Sequence, residues 1–282
     1  MKKNYLSIYA KSFNWAGFFL PKKTYQNCST LYDFCRTLDD IADQELKLDI
    51  RIDQFNEFKN NFVSKNFNNQ IIKNMHKVID DFKISEKIIY DLFDGVESDL
   101  KKEVKISSEK ELLIYSYRVA GTVGLMMAKL LNVKKQNSLK AAIDLGIAMQ
   151  LTNIARDVIE DSSKNRKYIN SNFDSIKNTV TIADSFYKSS FSSISDIPIN
   201  CRFAILVARR VYRQIGVNIL KKRDFENYKK SGKIYVSNFE KLFQTILSIF
   251  DFFMLLMINS KTHSKVKEHQ IINEEVNLNE RI

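Results

Sequence analysis

Apolar positions recur at three- and four-residue spacing through most of this 282-residue chain, the mark of amphipathic helices. Between residues 25 and 43 the apolar stripe is Leu31, Phe34, Cys35, Leu38 and Ile41/Ala42. Between residues 141 and 161 it is Leu145, Ala148, Met149, Thr152, Ala155 and Ile159. The same reading along the whole chain predicts helices near 24–44, 50–65, 69–81, 84–100, 109–131, 137–160, 176–193, 199–223 and 235–259. Breakers are few, 7 Gly and 2 Pro, and no Gly/Ser-rich linker divides the pattern, so a single all-α domain over residues 1–260 is expected. Residues 261–282 are polar and are expected to be a disordered tail. The most apolar stretch, 242–258, contains Gln244 and Asp251 and falls short of the roughly 20 apolar residues a membrane-spanning helix needs. It reads as a buried last helix, with contact at a membrane surface as the alternative.

Composition narrows the function classes. The chain is 44% hydrophobic and 12% aromatic, enough for one sizeable core. Neither G-x-G-x-x-G nor G-x-x-x-x-G-K-[ST] is present, so nucleotide use is not expected. Cys28, Cys35 and Cys201 are odd in number and scattered, which fits a reducing compartment without disulfides. His76, His263 and His269 lack zinc-ligand spacing. No secretory apolar segment follows Met1-Lys2-Lys3, so a cytoplasmic location is expected. The net charge of +11 includes Lys134-Lys135, Lys221-Lys222-Arg223 and Lys229-Lys230, but these runs are dispersed and carry no nucleic-acid motif. They read as solvated lysine faces, with attraction to phosphorylated substrates or an anionic membrane as a peripheral role; nucleic acid is not an expected partner.

The candidate chemistry lies in two acidic clusters, Asp39-Asp40-Ile41-Ala42-Asp43 and Asp157-Val158-Ile159-Glu160-Asp161. Residues four apart share a helix face, so Asp39 with Asp43, and Asp157 with Asp161, each point two carboxylates one way. At about 6 Å such a pair repels by about 0.7 kcal/mol in water and about 3 kcal/mol at an effective dielectric of 20. One such pair reads as a solvated acidic turn. Two of them, each on a rather apolar helix, point to carboxylates near an interior that need partners, and an all-oxygen ligand set suits a hard cation such as Mg²⁺.

Several ordered blocks resemble the squalene/phytoene synthase family, the head-to-head branch of the trans-isoprenyl diphosphate synthases. Ser12-Phe13 and Phe19-Leu20-Pro21 resemble its opening segment. Tyr32 through Asp43 resembles the first signature, Tyr-x-x-Cys-Arg-x-x-Asp-Asp-x-x-Asp, and Gly95-Val96-Glu97-Ser98-Asp99-Leu100 is similar to a Gly-Met-Glu-x-Asp-Leu block. Tyr115 through Gly124 matches the tyrosine-containing block nearly residue for residue, and Gln150 through Asp161 matches the second signature equally well. One departure stands out: where relatives carry Gly-Arg-x-Tyr-Leu-Pro, this chain reads Asn165-Arg166-Lys167-Tyr168-Ile169-Asn170, so the conformation of that loop is open. Lys233-Ile234-Tyr235-Val236-Ser237 resembles a late Arg-x-Tyr-Val-Ser segment with Lys for Arg.

The resemblance implies a single-domain isoprenoid synthase helical bundle with a central cavity, in which two aspartate helices face one another. It implies metal ligation by Asp39, Asp43, Asn153, Asp157 and Asp161, with Mg²⁺ as the cofactor and Mn²⁺ as an alternative ion. Asp39, Asp43, Tyr115, Asp157 and Asp161 are then the candidate catalytic residues, and Ser12, Phe13, Arg36, Gln150, Asn153, Arg156 and Tyr212 the candidate substrate-binding ones. Arg118, Arg213 and Tyr228 are secondary candidates, and a plain Arg36–Asp40 pair is the bland reading of Arg36. Gly121 and Gly124 read as serving close helix approach or a local break. The tyrosine block looks more like carotenoid enzymes, so the expected activity is condensation of two geranylgeranyl diphosphates through prephytoene diphosphate to phytoene. The alternatives are squalene or dehydrosqualene synthesis from two farnesyl diphosphates, with NADPH needed for squalene only, and a non-catalytic assembly protein on the same fold.

Overall fold

The computed structural model describes residues 15–258 and 260–282. The helices run α1 (Lys22–Asp43), α2 (Leu48–Val63), α3 (Gln70–Phe82) and α4 (Glu86–Glu97), then α5 (Glu109–Ser116), a π-helical turn at Tyr117–Gly121 and α6 (Thr122–Leu130). They continue with α7 (Gln136–Ser163), α8 (Phe173–Ser190), α9 (Ile199–Leu220), α10 (Phe225–Lys230), α11 (Asn238–Met257) and α12 (Val266–Asn273). Sequence periodicity placed the long helices within a few residues. Side-chain caps explain several starts: Asn69, Asn172 and Asp224 each accept from backbone N–H groups of the first turn, and Ser237 with Glu240 forms a capping box.

The long helix α7 is the axis of the fold, packed by α6, α8 and α9. Its approach to α6 is backbone against backbone. A Cβ added at Gly124 would sit 2.2 Å from the Ala142 carbonyl oxygen, and one at Gly146 would sit 2.2 Å from that of Ala120. Glycine is therefore required at both places, and the reading of Gly124 as a close-approach residue holds. One apolar cluster, including Leu31, Phe34, Leu38, Phe62, Phe93 and Ile147, fills the space between α1–α4 and α5–α7. A second, including Ala155, Val158, Ile176, Val207 and Val211, joins the later part of α7 to α8 and α9.

Two expectations are corrected. Residues 261–282 are ordered: α12 buries Ile272, and Val276 and Leu278 follow it into the core. The segment is tied down by polar contacts to buried acids. His263 Nε2 and His269 Nε2 lie 3.0 and 2.8 Å from the two carboxylate oxygens of Asp144, a fully buried residue of α7. Arg281 donates to both oxygens of buried Asp91 at 3.0 Å. The segment looked disordered because its three core residues are sparse among charges, while the partners of those charges lie more than a hundred residues away. Second, α11 is not a buried last helix. It buries Lys241, Thr245, Ser248, Asp251 and Leu255, half-buries Phe252, and turns Phe239, Phe243, Phe250 and Phe253 outward. Among the described residues no helix is long and apolar enough to cross a membrane.

Ending the chain after Ser260 would leave Asp91 buried without its Arg281 partner and Asp144 without its two imidazole partners. A stability loss of about 3–5 kcal/mol is expected, seen by calorimetry as a melting temperature lower by roughly 10 °C. An unchanged melting temperature would mean that the segment adds nothing to the fold.

Candidate active site

A cavity of about 680 Å³ opens between α1 and α7. Asp39, Asp40 and Asp43 line one side, and Gln150, Asn153, Asp157, Glu160 and Asp161 line the other. The two acidic clusters therefore share one space. Arg36, Tyr115 and Arg156 are also in its wall. Of the remaining candidates, Tyr212 lies beside Arg156 and Asp157 without lining the cavity, and Ser12 and Phe13 fall outside the described residues.

The helices reach this arrangement in different ways. On α1 the four-residue spacing of Asp39 and Asp43 suffices. On α7 the helix breaks step at Asp157, whose backbone leaves helical geometry at φ −106° and ψ 15°. At this point Tyr228 of α10 sets its hydroxyl 3.0 and 2.7 Å from the carbonyl oxygens of Ala155 and Arg156, a side chain competing for the helical ladder just before the kink. Tyr228 thus backs the second acidic wall. Arg118 and Arg213 are likewise structural, bound to Glu275 at 3.3 Å and Asp184 at 2.5 Å.

Most carboxylates of the cavity already have partners. Asp40 pairs with Arg36 at 2.6 Å, the i, i+4 pair foreseen as the bland reading. Asp43 receives Arg166 at 2.6 Å and Lys164 at 3.2 Å. Burial opposes ionisation of Asp43, but these two cations outweigh it and hold the carboxyl below its ordinary range. Asp157 takes both Nε and Nη2 of Arg156, at 2.9 and 2.5 Å, and lies 3.5 Å from Lys233. Glu160 pairs with Lys233 at 2.6 Å.

Asp39 and Asp161 are the exceptions. Among the described residues neither carboxylate has a hydrogen bond or ion pair. Asp39 faces the cavity and is open to its water, yet protein surrounds it closely enough that desolvation, opposed by Arg36, pushes its carboxyl up to about 7. Burial, then the Asp157 charge, pushes Asp161 up to about 7. One electron-rich, cation-poor carboxylate thus stands on each wall. Asn153 Oδ1 is buried there without a hydrogen-bond partner. These three oxygen donors fit a hard divalent cation: all are oxygen ligands, two gain their charge-compensating partner, and the orphaned amide oxygen gains a ligand bond.

Three residues that sequence reasoning did not place in the site complete it. Asp99, just after α4, accepts from Tyr115 Oη at 2.8 Å and from Tyr168 Oη at 2.7 Å. The two phenol rings stack with centroids 4.8 Å apart. Burial, then the Asp99 charge, raises both phenols far above their ordinary value, so they stay protonated. Arg166 arrives through a two-residue parallel ladder, β1 (Val104–Lys105) against β2 (Arg166–Lys167). The π-helical turn puts Val119 in the same wall as Tyr115, a local widening of the helix frequent at functional sites. Asp99 sat in a quoted motif block, and Arg166 and Tyr168 in the departing loop; a buried acid beside two tyrosines was the available signal.

That departing loop is also explained. Asn165 takes φ +56°, the left-handed region, where Asn is the side-chain-bearing residue best able to replace Gly. Asn165→Gly should keep stability within about 0.5 kcal/mol, whereas Asn165→Ala should lose about 1–2 kcal/mol, measured by denaturant titration. Equal losses for both would refute this account of the loop.

The chain is similar to several known proteins. The squalene/phytoene synthase family model matches residues 6–173. A phytoene synthase from Pseudescherichia vulneris is 35% identical over 157 residues, 48% of this chain and 50% of that one, so the match spans about half the relative's length. The 15-cis-phytoene synthase of Pantoea ananas is 28% identical over 253 residues, covering 76% of this chain and 80% of that one. A dehydrosqualene synthase solved in complex with ligand superposes with a TM-score of 0.75 at 26% identity, covering 87% of this chain and 93% of that one. A squalene synthase from Alicyclobacillus acidocaldarius shares the fold, with a TM-score of 0.65 at 15% identity over 80% and 92% of the two chains. With an all-α bundle and two acidic helices lining one cavity, the chain belongs to the squalene/phytoene synthase family, whose members are prenyltransferases.

Proposed function

We propose that this protein condenses two geranylgeranyl diphosphates head to head, through prephytoene diphosphate, to phytoene. The observation that carries the reading is the pair of uncompensated carboxylates, Asp39 and Asp161, on opposite walls of a cavity whose remaining acids are already paired. Such a site binds cations, and through them anions. Asp39, Asp43, Asn153, Asp157 and Asp161 would hold Mg²⁺. When bound, the ions supply Lewis-acid neutralisation of the diphosphate leaving groups.

The chain's own residues do the remainder. Arg36, Arg166 and Lys233 lie in the same wall and can take phosphate oxygens, Arg36 and Arg166 through planar forks. Asp99 fixes the stacked phenols of Tyr115 and Tyr168, whose rings offer an electron-rich face to a developing allylic cation. Because these hydroxyls keep their protons, the pair does not act as a resting base. Placing the diphosphates on the charged residues leaves their tails beside Val96, Val119 and Ile154, the aliphatic part of the cavity wall.

The Pantoea ananas likeness over most of both chains favours the geranylgeranyl substrate. The superposition on a dehydrosqualene synthase favours two farnesyl diphosphates as the second reading. Incubation with Mg²⁺ and each diphosphate, with and without NADPH, separates them: phytoene from geranylgeranyl diphosphate without reductant is expected, and product from farnesyl diphosphate alone would overturn the assignment. Asp39→Asn and Asp157→Asn should each lower turnover by about a thousandfold while leaving the fold intact by circular dichroism; unaltered turnover would exclude the metal role and leave an assembly protein on this fold.

The raised carboxyls of Asp39 and Asp161 give a pH prediction with a definite sign. Both are partly protonated near neutrality, with values of about 7, and a cation must displace those protons. Calorimetric Mg²⁺ affinity should therefore rise between about pH 6 and about pH 8, with proton release. An affinity independent of pH would contradict the assignment of these two ligands.

A further inference from the structure

Helix α11 is built inside out. Its inward polar residues are satisfied by the protein: Arg210 clamps Asp251 at 2.5 and 2.7 Å, Trp15 Nε1 donates to Thr245 Oγ1 at 2.9 Å, and Gln244 bonds Gln214 at 2.9 Å. Its outward side carries Phe239, Phe250, Phe253 and Met257, exposed by 79%, 68%, 59% and 86%. None of the strongly exposed positions of the helix is charged. Glu240 is tied to Ser237 and Asn218 at the first turn. A surface helix normally shows the reverse polarity, and an apolar stripe of this length on a free surface marks a docking face.

We infer that this face lies on an anionic lipid bilayer. The apolar surface is broad: ring contacts run from Phe253 through Phe252 and Phe203 to Phe19, next to exposed Phe18. Cations border it at both ends. Lys22 and Lys23 follow the Phe18–Phe19 end, and Lys221, Lys222 and Arg223 close α9 where Asn218 meets Glu240 of α11. Two copies of the chain meeting on this face would bring like charges together, whereas anionic headgroups neutralise both ends. With no helix fit to cross the bilayer among the described residues, α11 lies in the interface with its rings among the acyl chains. Tyr235, two residues from the cavity-lining Lys233, is itself exposed and extends the apolar surface beyond the start of α11. Resting on the proposed function, a lipid surface is also where prenyl tails partition.

The test is flotation of the full chain with vesicles containing about a third phosphatidylglycerol, beside vesicles of phosphatidylcholine alone, and sedimentation without lipid. The wild type should float with the anionic vesicles and be released from them by high salt. The double variant Phe250→Glu/Phe253→Glu should stay at the bottom while keeping wild-type melting temperature and Mg²⁺ affinity, neither of which requires turnover. Failure of the wild type to float, or equal flotation of the double variant, overturns the inference. So does a lipid-independent dimer that the double variant dissolves, which would assign the face to a second copy. A protein that floats as predicted but makes no prenyl product would leave the lipid face standing and remove only the proposed reaction.

Discussion

The structure is organised around a shortage of positive charge. Seven carboxylates (Asp39, Asp40, Asp43, Asp99, Asp157, Glu160, Asp161) and five cations (Arg36, Arg156, Lys164, Arg166, Lys233) line one cavity. The deficit of two is localised rather than shared. Asp40, Asp43, Asp157 and Glu160 have ionic partners, and Asp99 spends its charge on two phenols. Asp39 and Asp161, one on each wall, have no such partner, and their carboxyls are pushed up to about 7. Like charges confined this way destabilise the empty protein, and the rest of the fold serves to hold them in place.

Three devices do so. The close Gly124–Gly146 approach fixes α6 against α7, and with it the π-helical turn that carries Val119 beyond Tyr115. Tyr228 bonds the Arg156 carbonyl of α7 immediately before the kink at Asp157. The short β1–β2 ladder brings Arg166 to Asp43 across more than a hundred residues. None of the three is an apolar contact of the ordinary kind, yet each sits on a core that is. The last residues of the chain reinforce α7 and α4 from outside through Asp144 and Asp91.

What the sequence revealed follows the same division. The α1 and α7 stripes were legible because their period is local, and the aspartates could be placed on them by counting. Asp99, Arg166 and Tyr168 were visible as letters but not as site members, because their roles exist only after the ladder and the phenol pair form. The tyrosine that bonds α7 at the Asp157 kink lies seventy-one residues later, beyond the reach of any local pattern. The fate of residues 261–282 was misread because Ile272, Val276 and Leu278 are few and the buried acids that hold the segment are far upstream. On α11 the apolar content was legible, but its direction was not. Only the partners Arg210, Gln214 and Trp15 show that the polar side faces in.

The claim on which the account rests is that the two acidic walls form one cation–diphosphate site. A double-mutant cycle tests it directly: Mg²⁺-dependent binding of inorganic diphosphate, measured by calorimetry for the wild type, Asp39→Asn, Asp161→Asn and the double variant. One shared site predicts strongly non-additive losses, with a coupling of about 1 kcal/mol or more between residues on different helices. Additive losses would mean two independent acidic turns, and would contradict the account.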